Sequence, residues 1–175
     1  DHMVQRQVET ALKEMGGLSG DLPWGVDGCT VPNFAVPLSA LARAMARFAD
    51  PSGLSPSRAT ACRTLLRAMT ANPELVAGTG RPCTLLMRQN PSIAVKTGAE
   101  GVYVAIIPSL GLGAAVKIDD GTGRAAETAI AALLIALGAS PGEGAAANRA
   151  CAPVKNTRGV TVGERRATKA LTQLT

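Results

Sequence analysis

The chain has 175 residues and a formal net charge of +5, and 46% of its residues are apolar but only 2% are aromatic. This length and apolar content suit one domain with its own core and exclude a disordered chain. The basic residues are scattered and the aromatic side chains are too few to stack bases, so we expect no nucleic-acid partner. No apolar run reaches the roughly 20 residues that cross a bilayer, so we expect no membrane contact.

Helical patterns dominate the first half of the chain. Apolar residues at helical spacing, bounded by Gly, Pro or Asp, predict helices over 4–15, 37–49 and 57–70, a short helical turn that starts at Asn72-Pro73, and another turn at 85–88. The third helix is expected to begin at the N-cap Ser57 and to bury Leu65, Leu66 and Met69. Residues 18–33 are broken by Gly, Pro and Asp, so we interpret them as a loop that holds at most one short strand.

Strand patterns follow from residue 93 onward. Three segments rich in β-branched residues and joined by short Gly-containing turns predict an antiparallel meander, with strands at 93–96, 101–107 and 112–118. A helix over 124–137 is apolar on nearly all sides, which predicts burial against the sheet. A Gly/Ala linker at 142–147 and one more strand at 160–162 complete the chain. The pattern predicts an α+β fold in which helices precede a small antiparallel sheet backed by a C-terminal helix.

The apolar helix predicted over 124–137 also indicates that this chain is part of a larger protein. A three-stranded sheet cannot cover both sides of it, so we expect an exposed apolar face at Ile130, Leu134 and Leu137, or a partner chain over that face. The chain begins Asp1-His2-Met3 rather than with a translational start. We therefore interpret residues 1–175 as a single-domain portion of a larger catalytic domain.

The first chemical candidate is Lys96-Thr97-Gly98, at the end of a predicted edge strand. The lysine would present an ammonium beside an open backbone edge, the threonine a hydroxyl, and the glycine close backbone access for a substrate. In serine β-lactamases and penicillin-binding proteins this tripeptide accompanies an S-x-x-K nucleophile, and no serine in this chain has a lysine three positions later. The alternative is an exposed strand-end lysine without a catalytic role.

The second candidate is Asp27-Gly28-Cys29, which lies on a loop between a glycine and a proline. A thiolate ligates zinc well, and a nearby carboxylate can orient a ligand or a bound water. The alternative is a buried cysteine that behaves as a small hydrophobe. The only histidine is His2, which argues against catalytic triads and histidine-based metal sites.

The remaining cysteines, Cys62, Cys83 and Cys151, are interpreted as structural. The chain contains no C-x-x-C pair and shows no secretory signal pattern. We therefore expect reduced thiols and a cytoplasmic location.

Segments that run in order along nearly all of the chain resemble the asparaginase II family of the rhizobial type: 26–38, 76–81, 95–102, 111–113 with 117–121, and 156–159. The resemblance implies a serine-β-lactamase-like fold and hydrolysis of L-asparagine to aspartate and ammonia. It also implies a zinc ion held by two cysteines and a lysine, near two Ser-Lys tandems, and a homodimer of the complete protein.

Carried over residue by residue, the resemblance implies that Cys29 is a zinc ligand and that Asp27 orients the ligand or a bound water. Lys96 would be the active-site lysine paired with a serine, and Thr97 and Gly98 would be weaker candidates for substrate contact. The family's C-S-G-K-H segment and its S-x-x-K serine have no counterpart in this chain. The resemblance therefore implies that this is the C-terminal half of the enzyme and that the isolated chain is inactive.

The main hypothesis is thus an L-asparagine amidohydrolase that uses Ser/Lys chemistry near a zinc site. In this scheme Lys96 is either the base or the charge that lowers the pKa of a neighbouring lysine. Two alternatives stay open: a β-lactamase or penicillin-binding type of hydrolase, and a truncated binding domain without catalytic activity.

Overall fold

The computed structural model describes residues 2–173, which form helices and three small antiparallel sheets, and this confirms the α+β class. The helices are α1 (Met3–Gly16), α2 (Leu38–Ala49), α3 (Pro56–Ala71), α4 (Pro73–Ala77), α5 (Pro82–Gln89), α6 (Gly123–Ala136), α7 (Gly144–Ala150) and α8 (Lys169–Thr172). The strands are β1 (Trp24–Val26), β2 (Pro32–Phe34), β3 (Ala94–Thr97), β4 (Val102–Ile107), β5 (Leu112–Lys117), β6 (Cys151–Lys155) and β7 (Thr161–Arg166). No helix within residues 2–173 is long and apolar enough to cross a membrane.

The N-cap of helix α3 lies two residues earlier than the sequence pattern predicts. The N-cap is Ser55, whose hydroxyl accepts a hydrogen bond from the Arg58 N–H at 3.4 Å, and not Ser57. Pro56 occupies the first helical position, where its missing N–H costs no hydrogen bond, so the Ser-Pro pair is the stronger start signal.

The buried face of α3 also differs from the prediction. Leu65 is 53% exposed, and Leu66 and Met69 are only partly buried. The buried positions are Ala59 and Cys62, which are small enough for the helix to approach its neighbours closely.

The predicted meander is confirmed as a three-stranded sheet in the order β3-β4-β5. The register pairs Lys96 with Val104 and Thr97 with Tyr103. Because side chains alternate along a strand, Thr97 and Tyr103 share one face of the sheet while Lys96 shares the other face with Gly113. Helices α5 and α6 cover the first face and α2 lies on the second.

Helix α2 lies directly on β5 because Gly113 has no side chain. A Cβ atom at this position would overlap the backbone of α2 at Ala42, Met45 and Ala46. The first and last of these helix residues are alanines one turn apart, so the helix presents little side-chain bulk at the contact. The glycine therefore sets the distance between the helix and the sheet.

Helix α6 is buried as predicted, but the expected exposed apolar face is absent from it. Ile130 and Leu134 are 0% exposed and Leu137 is partly buried. Helices α7 and α8 and strand β7 cover the side of α6 that the three-stranded sheet leaves open. The expectation was wrong because it counted only the sheet as a partner of this helix.

The segment interpreted as a Gly/Ala linker, 142–147, instead contains the start of α7. The Gln89 side chain, at the end of α5, accepts a hydrogen bond from the Ala146 N–H at 2.8 Å and donates one to the Glu143 carbonyl at 2.7 Å. This capping comes from a residue more than 50 positions away, so no local sequence signal marks it. Alanine then favours the helical conformation.

Two hairpins lie outside the central sheet. The first, β1–β2, occupies the segment predicted as a loop with at most one short strand. The second pairs β6 with β7, so the strand predicted at 160–162 is confirmed and its partner, β6, was missed. Strand β6 is mostly exposed and contains Pro153, which weakens a strand pattern.

Candidate functional site

Lys96, Thr97 and Gly98 lie at the outer end of β3, which is an edge strand of the three-stranded sheet as predicted. The Lys96 side chain is exposed, and its Nζ donates a hydrogen bond to the Thr97 carbonyl at 2.6 Å. The Gly98 N–H donates to the Val102 carbonyl at 2.8 Å and so continues the ladder beyond β3. The ammonium is therefore held at the edge of the sheet, where it is accessible from solvent.

The backbone amide of Thr97 points away from β4, because neighbouring amides alternate along an antiparallel edge. It donates instead to the Sγ atom of Cys83 at 3.3 Å. Cys83 is the second residue of α5 and is 1% exposed, and its Sγ atom lies 2.9 Å from the hydroxyl of Tyr103. A buried thiol thus joins the strand edge to a buried phenol.

Sequence reasoning treated Cys83 only as a structural cysteine and did not connect it with Tyr103. A usable signal was present, since strand alternation places Tyr103 on the face of the sheet that the following helix covers. A buried tyrosine hydroxyl normally requires a polar partner. The identity of that partner depends on how α5 packs, which the local pattern does not specify.

Tyr103 is 1% exposed, and this burial, reinforced by the hydrogen bond with Cys83, raises the pKa of its hydroxyl above the ordinary value of 10.0. The native protein therefore keeps the phenol protonated at a pH where the unfolded chain loses that proton. The hydroxyl can donate a hydrogen bond throughout the neutral range.

We expect the stability of the protein to fall as pH rises above about 10, with a slope approaching about 1.4 kcal/mol per pH unit from Tyr103 alone. The sign follows because the unfolded state binds fewer protons than the native state in this range. Denaturant unfolding at a series of alkaline pH values measures the slope, and Tyr103→Phe removes this contribution. Phenolate absorbance that appears at the ordinary tyrosine pKa while the protein stays folded would contradict the prediction.

Asp27 and Cys29 lie in the turn that joins β1 to β2. The Asp27 Oδ1 atom accepts hydrogen bonds from the Cys29 N–H at 2.8 Å and from the Val31 N–H at 3.3 Å. Its carboxylate therefore shapes the turn, and Thr30 adopts a left-handed φ of 61° within it. Cys29 is a free and exposed cysteine, which contradicts the alternative interpretation of a buried small hydrophobe.

A zinc site does not form from the described residues alone. Within residues 2–173, no group of three or more His, Cys, Asp or Glu side chains is arranged to hold a metal ion. The exposed Cys29 thiol can supply one ligand, whereas a structural zinc site normally has four and a catalytic one three. Over the same residues, no hydrogen bond or ion pair joins the turn of Cys29 to the strand end of Lys96.

The family model described as L-asparaginase II matches residues 1–167 of this chain. The search of curated proteins with this chain finds no match. The matched range includes the turn of Cys29, the strand end of Lys96 and the buried pair of Cys83 and Tyr103.

Proposed function

This chain belongs to the L-asparaginase II family, and from that premise we propose that it hydrolyses the side-chain amide of L-asparagine to give aspartate and ammonia. The observation that supports this reaction is the exposed ammonium of Lys96 at an open strand edge. Thr97 and Gly98 continue that edge, and the Thr97 hydroxyl, whose partner there is the Gly98 carbonyl at 3.3 Å, lies beside the ammonium's strand end. We propose these two residues as substrate contacts.

The proposed chemistry is acyl transfer through a serine. The serine Oγ attacks the amide carbon while an amine takes its proton, and the carbon–nitrogen bond then breaks as the nitrogen leaves as ammonia. Water hydrolyses the resulting ester to release aspartate. Lys96 acts in this scheme either as the proton acceptor or as the positive charge that lowers the pKa of a neighbouring lysine.

The serine in this scheme is expected from polypeptide outside residues 1–175, as the resemblance implies. We propose on the same basis that the complete protein is a cytoplasmic homodimer and that residues 1–175 alone are inactive. The cleft that holds asparagine would then form between that polypeptide and the open edge of β3, since α2 already lies on the face of the sheet that carries Lys96.

The experiment that tests the reaction is ammonia release from L-asparagine by the complete protein, measured beside turnover of a chromogenic cephalosporin. We expect asparagine hydrolysis and no cephalosporin turnover. Cephalosporin turnover without asparagine hydrolysis would replace the proposal with a β-lactamase type of reaction. Lack of both activities would support a binding role.

We also propose that Cys29 contributes one ligand to a zinc ion whose other ligands lie outside residues 1–175. Its support is the exposed thiol, which the Asp27 turn holds in a defined position. Zinc would supply electrostatic polarisation near the substrate. Asp27 is expected to hold the turn, and with it the direction of the thiol.

Cys29→Ser is expected to abolish stoichiometric zinc in the purified complete protein, because a serine hydroxyl is a much poorer zinc ligand than a thiolate. Metal analysis of the wild type and the variant gives the result. Cys151→Ser is the matched control, since Cys151 is also free and exposed but lies on β6 of the other hairpin. Equal zinc content in wild type and Cys29→Ser would remove Cys29 from the site.

A further inference from the structure

We propose that Tyr103 is a positioning residue, whose buried hydroxyl acts through the Cys83 thiol to fix the outer-edge amide of Thr97 and, with it, the direction of Lys96. The catalytic consequence of this inference rests on the proposed function. The structural claim is that the Tyr103 hydroxyl controls the strand edge through the Cys83 sulfur atom, and it depends only on the geometry of the described residues.

The Thr97 amide faces the open edge of the sheet. It lies on the side of β3 that has no neighbouring strand, and among the described residues its partner is the Cys83 Sγ atom at 3.3 Å. A partly buried N–H without a partner is costly, so this contact matters for the conformation of the edge. Sulfur is a weak acceptor, and a cysteine side chain can rotate about its single χ1 bond. The thiol alone would therefore hold the amide loosely.

The sulfur atom is itself held by a second buried side chain. The Tyr103 hydroxyl lies 2.9 Å from the same Sγ atom, and Tyr103 is the residue directly opposite Thr97 in the register. Both members of one cross-strand pair are thus tied to a single atom that belongs to α5. Tyr103 is fully buried under α5 and α6, so its ring cannot follow a movement of the strand edge.

Lys96 is joined to this arrangement through the backbone of Thr97. The Thr97 N–H belongs to the peptide group that joins Lys96 to Thr97, so fixing that N–H fixes the orientation of the peptide plane. The following carbonyl, of Thr97, accepts the hydrogen bond from the Lys96 ammonium at 2.6 Å. The N–H and C=O groups of Thr97 both face the open side of β3, so a displacement of Thr97 from the thiol would move the acceptor of the Lys96 ammonium with it.

The test uses Tyr103→Phe, which removes only the hydroxyl and keeps the buried ring. Thr84→Val is the matched control, since Thr84 is also 1% exposed, is the next residue of α5 after Cys83, and bonds through its hydroxyl to the Pro73 and Gly78 carbonyls rather than to β3. The readout is hydrogen exchange of the Thr97 amide relative to that of Gly98, whose N–H is held within the ladder. Both variants lose one buried hydroxyl, but only the hydroxyl of Tyr103 lies between α5 and the sheet.

We expect Tyr103→Phe to raise the Thr97 to Gly98 ratio of exchange rates about fivefold or more, the size of one lost hydrogen bond, and Thr84→Val to leave that ratio unchanged. Cys83→Ala is expected to raise this ratio as much as Tyr103→Phe does. The double variant is expected to show the same ratio as either single variant, because both substitutions weaken the same contact between the Cys83 thiol and the Thr97 amide. An unchanged ratio in Tyr103→Phe, or additive effects in the double variant, would overturn the proposal.

Kinetics on asparagine with the complete protein separate this proposal from the proposed function. We expect Tyr103→Phe to lower kcat several-fold with little change in KM, because the reacting group is misdirected while substrate contacts remain. A faster Thr97 exchange without loss of kcat would overturn the link to Lys96. If the wild type does not hydrolyse asparagine but the exchange ratio responds, the proposed function fails and the positioning of the strand edge stands.

Discussion

Replacement of Lys96 by alanine is expected to lower kcat for asparagine about 10²- to 10⁴-fold in the complete protein, the usual range for loss of a general base. The fold should be preserved, because the Lys96 side chain is exposed and makes one hydrogen bond, to the carbonyl of the adjacent Thr97. Steady-state kinetics beside denaturant unfolding measure the two effects separately.

The matched control is Lys117→Ala. Lys117 lies on the opposite edge strand, on the same face of the sheet, and its Nζ likewise donates to the carbonyl of the next residue. Its removal should leave asparagine hydrolysis near the wild-type rate. A large loss of activity in Lys117→Ala would mean that general surface charge, and not the position of Lys96, supports the reaction.

Lys96→Arg separates proton transfer from simple charge. Arginine keeps the positive charge but does not lose its proton near neutral pH, so a base at this position should fail in the arginine variant as well. Near-wild-type hydrolysis by Lys96→Arg would assign Lys96 an electrostatic role and move the search for the base to other lysines.

Gly113→Ala is expected to destabilise the protein by roughly 3 kcal/mol, the upper part of the range for overpacked positions. The added methyl group overlaps backbone atoms of α2 rather than the end of a flexible side chain, so the helix must move off the sheet as a unit. Urea unfolding gives the difference in free energy.

Gly163→Ala is the control for this prediction. Gly163 also lies in a strand, β7, and a Cβ atom there would meet nothing within 4 Å. Alanine is expected to be neutral or slightly stabilising at this position, because it reduces the freedom of the unfolded chain. Equal unfolding midpoints for Gly113→Ala and the wild type would show that α2 adjusts to a side chain without cost.

Local sequence patterns predicted the helices and strands that are marked by the residues of their own segment. The meander β3-β4-β5 and the buried helix α6 followed from β-branched runs and from an apolar helical segment. The start of α7 could not be predicted in this way, because Gln89 caps it from a distant helix. Strand β6 was missed because its exposed face carries no alternating pattern.

In the candidate site, too, local patterns predicted some features, whereas others depend on contacts between distant residues. The position of Lys96 at a strand edge was predictable, since the tripeptide and the strand that precedes it are contiguous. Exposure of Cys29 was not, because it depends on a hairpin turn that the Asp27 carboxylate closes. The pairing of Cys83 with Tyr103 joins residues 20 positions apart, and it depends on strand register and helix packing together.

Helix α5 has a consequence for how the native protein opens locally. It is only eight residues long, yet Cys83 near its start holds the edge of β3, and Gln89 at its end caps α7. Short helices in isolation are marginal, so this one depends on its packing in the core, where Leu86 and Met87 are buried, and on the contacts at its two ends. Fraying of α5 would release the strand edge and the start of α7 in the same event. We therefore expect these three segments to open as one cooperative unit, with a common opening free energy rather than three independent ones.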